Sequence, residues 1–275
     1  MPSLPVRLTI GLLLAVAGLV AGSLWSAPPA AAGTSCVPPP VAHRGDSARA
    51  PENTYPAFAK ALAAGVRRLE LDVRFTNGDV PVLMHDPTVD RTTNGTGEVS
   101  ALTLDQIRAL DAGRWFGKEY RGTRVPTLFD ILKLARSKDA SVMVELKTLP
   151  TETQMAQFLG RVRGLSMGRH IIVTSFGEDI IAAVRAAAPD LRTAIMDNPR
   201  YRQASSVLQF GRTYVVNAWS VTAARAATWR KAGISVRPWT VDSEKGWSRM
   251  AYDKTGAVIT NRPASYLTWA RHRCG

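Results

Sequence analysis

The chain predicts an α/β fold: a (β/α)8 TIM barrel with a β-hairpin and a small insertion after the second barrel strand. Three observations predict it. Short apolar strands alternate with helical stretches from residue 41 onward. Eight such strands, with helical sequence filling most of the gaps between them, call for parallel pairing around one sheet. The length of 275 residues also suits one domain of this kind, which typically needs ~250.

The expected barrel strands are 41–45, 69–75, 141–147, 170–176, 191–197, 213–219, 235–241 and 257–261. Helical stretches occupy 54–64, 127–138, 152–164, 178–188, 222–232 and 244–253. Thr127 with Asp130 makes a capping box at the start of one helix. Gly65 and Gly233 follow two others, where a left-handed residue ends a helix well. A further strand, 80–85, follows 69–75 after only Thr76-Asn77-Gly78-Asp79. An Asn-Gly turn makes a hairpin, and hairpin strands are antiparallel. So 80–85 folds back over the end of 69–75 and brings His85 and Asp86 near Glu70 and Asp72. Residues 87–126, with the aromatics Trp115, Phe116 and Tyr120, lack a clear strand–helix unit. They are expected to form an excursion over the barrel mouth that helps shape a substrate pocket.

Residues 8–24 are almost purely apolar, behind Arg7, and small residues follow up to Ala30-Ala31-Ala32. This order predicts a secretory signal peptide over 1–32, leaving 33–275 as a single exported barrel domain. A retained anchor and a lipoprotein Cys36 are the competing accounts, but the run is at the short limit for a span and Gly33-Thr34-Ser35 is not an aliphatic lead-in to a lipidated cysteine. No stable membrane insertion is expected after cleavage. Cys36 and Cys274 then lie at the two ends of the mature chain. A closed barrel brings its termini near each other, and an export compartment permits disulfides, so one Cys36–Cys274 bond is expected. Two unpaired terminal thiols are the alternative.

Composition narrows the function. Hydrophobic residues at 45% and charged residues at 21% exclude disorder throughout, collagen and coiled coil. Two cysteines are too few for a Cys-rich zinc site. No Walker-type loop and no GxGxxG is present. The net charge of +13 suits an anionic partner such as a phosphate ester, a wall polymer or a membrane surface. No basic stripe with interleaved aromatics marks a nucleic-acid site.

Barrel enzymes place their chemistry at the C-terminal ends of the strands. There the chain has His43-Arg44-Gly45, Glu70-Leu71-Asp72, His85-Asp86 and Glu145-Leu146-Lys147. Glu70 and Asp72 are two apart and share one strand face. Two carboxylates aimed into one mouth repel unless a cation joins them. With Glu145 they make a set of oxygen donors suited to a hard ion, Ca²⁺ or Mg²⁺. An ion-pair network with Arg44 or Arg74 is the structural alternative. His43 and His85 fit an acid/base pair on opposite sides of a bound phosphate. Taken singly, each is as well explained as a core histidine. Arg44 can grip a phosphate bidentately and Lys147 supplies a point charge; both can also balance the carboxylates. Trp239, at the end of the seventh strand, packs against an apolar part of the substrate or fills the core.

Eight pieces of the chain match one known family in order: AHRG (42–45), PENT (51–54), ELDV (70–73), PVLMHD (81–86), VELK (144–147), TSF (174–176), WTVD (239–242) and ITNRP (259–263). Over 41–263 the chain resembles the glycerophosphodiester phosphodiesterases. The resemblance implies a TIM barrel with an insertion after the His-Asp strand. It implies hydrolysis of glycerophosphodiesters to glycerol 3-phosphate and an alcohol such as choline or ethanolamine. By resemblance His43 and His85 are the acid/base pair. Glu70, Asp72 and Glu145 are the ligands of one divalent cation, and Arg44 and Lys147 are the phosphate contacts. Two other readings compete. One is a phospholipase D-like or phosphatidylinositol phospholipase C-like barrel acting on intact lipid, which the Glu145/Lys147 pair and TNRP disfavour. The other is a non-catalytic binder of anionic wall or lipid head groups, which the complete acid/base and metal set disfavours.

Overall fold

The alternation closes into a nearly complete barrel in a computed structural model of the chain, which describes residues 1–2, 36–198 and 200–274. Apart from its first two residues, the leader expected over 1–32, with its cleavage point near Ala32, lies outside the described residues. Residues Ser35–Gly275 form one compact unit.

The strands are β1 (Pro40–His43), β2 (Arg68–Phe75), β3 (Pro81–Leu83), β4 (Ser141–Leu146), β5 (Ile171–Ser175), β6 (Arg192–Asp197), β7 (Thr213–Asn217), β8 (Ser235–Trp239) and β9 (Val258–Thr260). All but β3 pair in parallel, in the order β8-β7-β6-β5-β4-β2-β1-β9. Across the remaining seam, the Val241 N–H donates to the Ile259 carbonyl at 3.0 Å and the Gly256 N–H to that of Val236 at 2.8 Å. Each predicted barrel strand is present, its ends shifted by a residue or two. β3 pairs antiparallel with β2, Val73 opposite Leu83 and Phe75 opposite Pro81, as the Asn-Gly turn requires.

The helices are α1 (Tyr55–Ala63), α2 (Leu104–Ala109), α3 (Leu128–Ser137), α4 (Glu152–Gly164), α5 (Glu178–Ala187), α6 (Ala204–Leu208), α7 (Ala223–Lys231), α8 (Glu244–Tyr252) and α9 (Pro263–Cys274). α2, α6 and α9 were not expected from the sequence. Thr127 and Asp130 exchange the two hydrogen bonds of a capping box at the start of α3, and Thr151 and Gln154 do the same for α4. α3 and α4 each bury one stripe against the strands. On α3 it is Leu128, Ile131, Leu132 and Ala135; on α4 it is Met155, Phe158, Leu159 and Val162. These meet the outward residues Leu69, Leu71 and Val73 of β2 and Val142, Val144 and Leu146 of β4 in one cluster. Burying each such side chain contributes about 1.5–3 kcal/mol. Inside the barrel, Val41, Met143, Ile172, Met196, Val215 and Ile259 make a separate apolar plug.

The excursion at 87–126 is folded rather than loose. Val82 and Met84 of the hairpin pack with Val89, Val99, Ile107, Ala112 and Val125 in a core of their own. The Asp111 carboxylate accepts from the N–H groups of Gly113 at 2.9 Å and Gly122 at 2.8 Å, which ties its loops together. No helix among the described residues is long and apolar enough to cross a membrane.

Cys36 and Cys274 are disulfide-bonded, their Cα atoms 5.7 Å apart across 238 residues of sequence. The bond fastens the segment leading into β1 to the end of α9. Nearby, the Tyr266 hydroxyl donates to the Pro38 carbonyl. Closing so long a loop restricts the unfolded chain, by up to roughly 5 kcal/mol in the entropy model. A Cys36→Ser/Cys274→Ser variant should therefore melt at least ~5 °C below the wild-type protein, and reductant should lower the wild-type Tm alike. Equal melting points would show that the bond adds no stability.

Candidate active site

The site is built by the side-chain alternation of β2. Leu69, Leu71 and Val73 point to the helices, so Glu70 and Asp72 point into the barrel. Register sets Glu145 of β4 beside Asp72. Glu70, Asp72 and Glu145 are all buried, with oxygens within 4.8 Å of one another. Two cations enter the same cluster. Lys147 Nζ lies 2.7 Å from Glu145 Oε1 and 3.0 Å from Asp72 Oδ1. Arg44 Nε lies 3.0 Å from Asp72 Oδ2. Burial, then the neighbouring carboxylates Asp72 and Glu145, push Glu70 well above the usual carboxylate range. Burial and Asp72 push Glu145 up to about 7. Burial works against the Asp72 carboxylate too, but Lys147 and Arg44 overcome it and hold Asp72 well below its ordinary value.

The loop after β1 makes this possible. Gly45 has φ +88°, and a Cβ there would come within 2.6 Å of the Ala57 carbonyl carbon, so α1 can pack this close only on glycine. The Arg44 N–H donates to both the carbonyl and Oε2 of Glu70, each at 3.0 Å. Asn53 sits at φ +56°, where asparagine is tolerated. Its side chain clasps Asp72: Nδ2 donates to Asp72 Oδ2 at 2.7 Å, and Oδ1 accepts from the Asp72 N–H at 3.2 Å.

Each histidine is fixed through Nδ1. His43 Nδ1 is 2.6 Å from Asn261 Oδ1, an oxygen that only accepts, so Nδ1 donates. Asn261 is itself held by Asp242, through its Nδ2 at 2.7 Å and its N–H at 2.8 Å. Burial, reinforced by Arg44, lowers His43 to about 4. His85 Nδ1 pairs with Asp86 Oδ1 at 2.6 Å. Arg91, from the excursion, donates from Nε to Asp86 Oδ2 at 2.6 Å. Its other nitrogens reach Glu52 at 2.8 and 3.0 Å, and Glu52 in turn accepts from Arg44 at 2.8 Å.

His43, Arg44, Glu70, His85, Glu145 and Lys147 line one cavity at the barrel mouth, floored by Met143, Met196, Val215 and Ile259. Phe176 and Trp239 close one side, edge to face with ring centres 5.7 Å apart. Trp239 lines the cavity and packs on the barrel interior. Its Nε1 is buried without a hydrogen-bond partner. The excursion contributes no lining residue to this cavity, contrary to expectation. Its own core keeps it beside the mouth, and Arg91 is its link to the site. Sequence reasoning gave no role to Glu52, Asn53, Arg91, Asp242 or Asn261. Glu52, Asn53, Asp242 and Asn261 stand inside the PENT, WTVD and ITNRP pieces, whereas Arg91 carried no signal.

The donor set fits a divalent metal. Three buried carboxylates crowd together, and a cation among them would relieve the repulsion that raises Glu70 and Glu145. Asp72 Oδ1, though near Lys147, accepts no aligned hydrogen bond and keeps a lone pair for a ligand. The Arg91 bridge yields a testable titration. Hydrogen bonds from Arg91 lower the Asp86 carboxyl to about 2. A pKa lowered by folding stabilises the fold above about pH 4 and loses that contribution as pH falls toward 2. In Arg91→Met, NMR titration should find Asp86 raised toward ~4, with the His85 hydrogen bond still holding it somewhat below, and an unchanged Asp86 would refute the bridge.

The glycerophosphoryl diester phosphodiesterase family model matches residues 43–265. The chain is 32% identical over 242 residues to the glycerophosphodiester phosphodiesterase of Caldanaerobacter subterraneus subsp. tengcongensis, covering 84% of this chain and 97% of the relative. It superposes with a TM-score of 0.75 on the crystal structure of glycerophosphodiester phosphodiesterase from Agrobacterium tumefaciens, at 30% identity over 84% of this chain and 99% of that one. An Oleispira antarctica phosphodiesterase, solved with its product sn-glycerol-3-phosphate, shares the fold with a TM-score of 0.78 at 23% identity, over 86% of this chain and 98% of that one. A match running from the end of β1 into α9 makes this chain a member of the glycerophosphoryl diester phosphodiesterase family, and hence a phosphoric diester hydrolase.

Proposed function

We propose that the enzyme hydrolyses glycerophosphodiesters to glycerol 3-phosphate and an alcohol, using one divalent cation and a pair of histidines. The observation that carries this is the meeting of two Nδ1-anchored histidines and a three-carboxylate group around one cavity. Glu70, Asp72 and Glu145 would hold the cation, Ca²⁺ or Mg²⁺, as hard oxygen donors. Such a cation, when bound, polarises phosphoryl oxygens as a Lewis acid. Arg44 and Lys147, held in place by the carboxylates, contact the phosphate oxygens and stabilise charge that builds on them. Anchored at Nδ1, His43 and His85 each keep Nε2 for proton transfer. One takes the proton of the attacking hydroxyl and the other gives a proton to the departing oxygen. Trp239, with Phe176, forms the aromatic side against which the alcohol packs. The terminal disulfide supports an exported protein, with the signal peptide 1–32 removed and 33–275 acting as the mature barrel.

The test is release of glycerol 3-phosphate from glycerophosphocholine by residues 33–275, with Ca²⁺, with Mg²⁺ and with a chelator. Turnover should stop with chelator and return with one of the two ions. His43→Ala and His85→Ala should each lower kcat by at least ~100-fold while circular dichroism stays native. Glu145→Gln should raise the half-saturating metal concentration by ~10-fold or more. A folded protein that releases nothing from glycerophosphocholine but cleaves micellar phospholipid would overturn this reading in favour of a lipase.

A further inference from the structure

The end of the barrel facing away from the mouth carries a second charged cluster, which hydrolysis leaves unused. Along β8, Val236 joins the outer core while Trp239 joins the barrel interior, so Arg237 points inward, two residues beneath Trp239. On β2 the same alternation sets Arg68 beneath Glu70. On β6 it sets Arg192 beneath Ala194 and Met196, both of the interior cluster. Arg68 and Arg192 are the first residues of their strands and stand exposed at the N-terminal rim. Arg237 lies deeper, and its Nε is buried with no hydrogen-bond partner. Strand alternation turns all three side chains into the same end of the barrel interior, and burial, then the charges of Arg68 and Arg192, lower Arg237 to about 10.

No carboxylate answers them. Among the described residues, Arg68 and Arg237 make no ion pair, and Arg192 makes one bond, from Nη2 to the Arg169 carbonyl at 2.7 Å. Their register partners are Ser141 beside Arg68, Ile172 beside Arg192 and Val215 beside Arg237, none of them acidic. The contrast with the mouth is direct, since Arg44 and Lys147 there have carboxylate oxygens at 2.7–3.0 Å. A guanidinium stays charged at every physiological pH, and the buried Nε of the half-buried Arg237 is costly to leave without a partner. Its planar fork matches a tetrahedral oxyanion.

We propose that Arg237, Arg68 and Arg192 form a second anion site at the N-terminal end of the barrel, for a phosphate-type oxyanion, free or as a phosphomonoester. It does not depend on the hydrolytic reading. The test compares Tm in inorganic phosphate, in glycerol 3-phosphate and in chloride at one ionic strength. Three variants separate the two ends of the barrel: Arg237→Gln, the exposed pair Arg68→Ser/Arg192→Ser, and Arg44→Gln at the mouth. Phosphate should still raise the Tm of Arg44→Gln. In the other two variants the concentration needed for half the shift should rise at least ~10-fold, because each loses cationic donors to the anion. A shift from glycerol 3-phosphate with the same pattern would identify a monoester as an accepted form, and a shift from phosphate alone would identify the free anion. If Arg68→Ser/Arg192→Ser responds to phosphate as the wild type does, or the shift disappears in Arg44→Gln alone, the proposal is wrong. The exposed pair keeps the test decisive even if Arg237→Gln fails to fold.

Discussion

A fully buried carboxylate governs this barrel. Asp72 is out of contact with water, and an ionised carboxyl there costs several kcal/mol unless it is paired and hydrogen-bonded. Its partners come from three places in the chain. Arg44 arrives from the end of β1, Asn53 from the loop before α1, and Lys147 from just beyond β4. The first two require backbone in an unusual setting: a left-handed Arg44 and Asn53, with Gly45 packed against α1. Motif letters that look independent along the chain are therefore parts of one electrostatic unit. Taking one partner away would leave the others, and Asp72 itself, with charge uncompensated.

Around that unit, the two histidines are positioned from opposite sides. His43 is oriented from the seam, through Asn261 and Asp242. His85 is oriented from the hairpin and the excursion, through Asp86 and Arg91. Arg91 also meets Glu52, which meets Arg44, so the excursion braces both sides of the mouth without forming its wall. An insertion with its own small core can do this because it is rigid enough to hold a guanidinium in place.

The barrel was legible because strand patterning is local. Runs such as LELDVRF and SVMVELK announce both their extent and the face each residue takes. The hairpin was legible for the same reason, since one Asn-Gly turn sets its direction. The first ring of chemistry followed, because strand-end residues in a barrel must share a mouth. What lay hidden were side chains whose work is done on other side chains. Nothing local marks Asn53 as the clasp of Asp72, or Arg91 as the brace of Asp86, because each acts only once distant loops have met. The short helices α2 and α6 were hidden too, with too few turns to show a period. Residues 87–126 were placed over the pocket by topology alone, and their own core drew them beside it.

The bond between Cys36 and Cys274 turns the folded chain into a covalent ring, entered and left at the same point. A single backbone cut between those cysteines, for instance in an exposed turn of the excursion, opens the ring but separates nothing. Both fragments stay tethered at the place where β1 and α9 meet, and the barrel contacts hold the cut ends in register. For a chain closed in this way, being nicked and being lost are then different events.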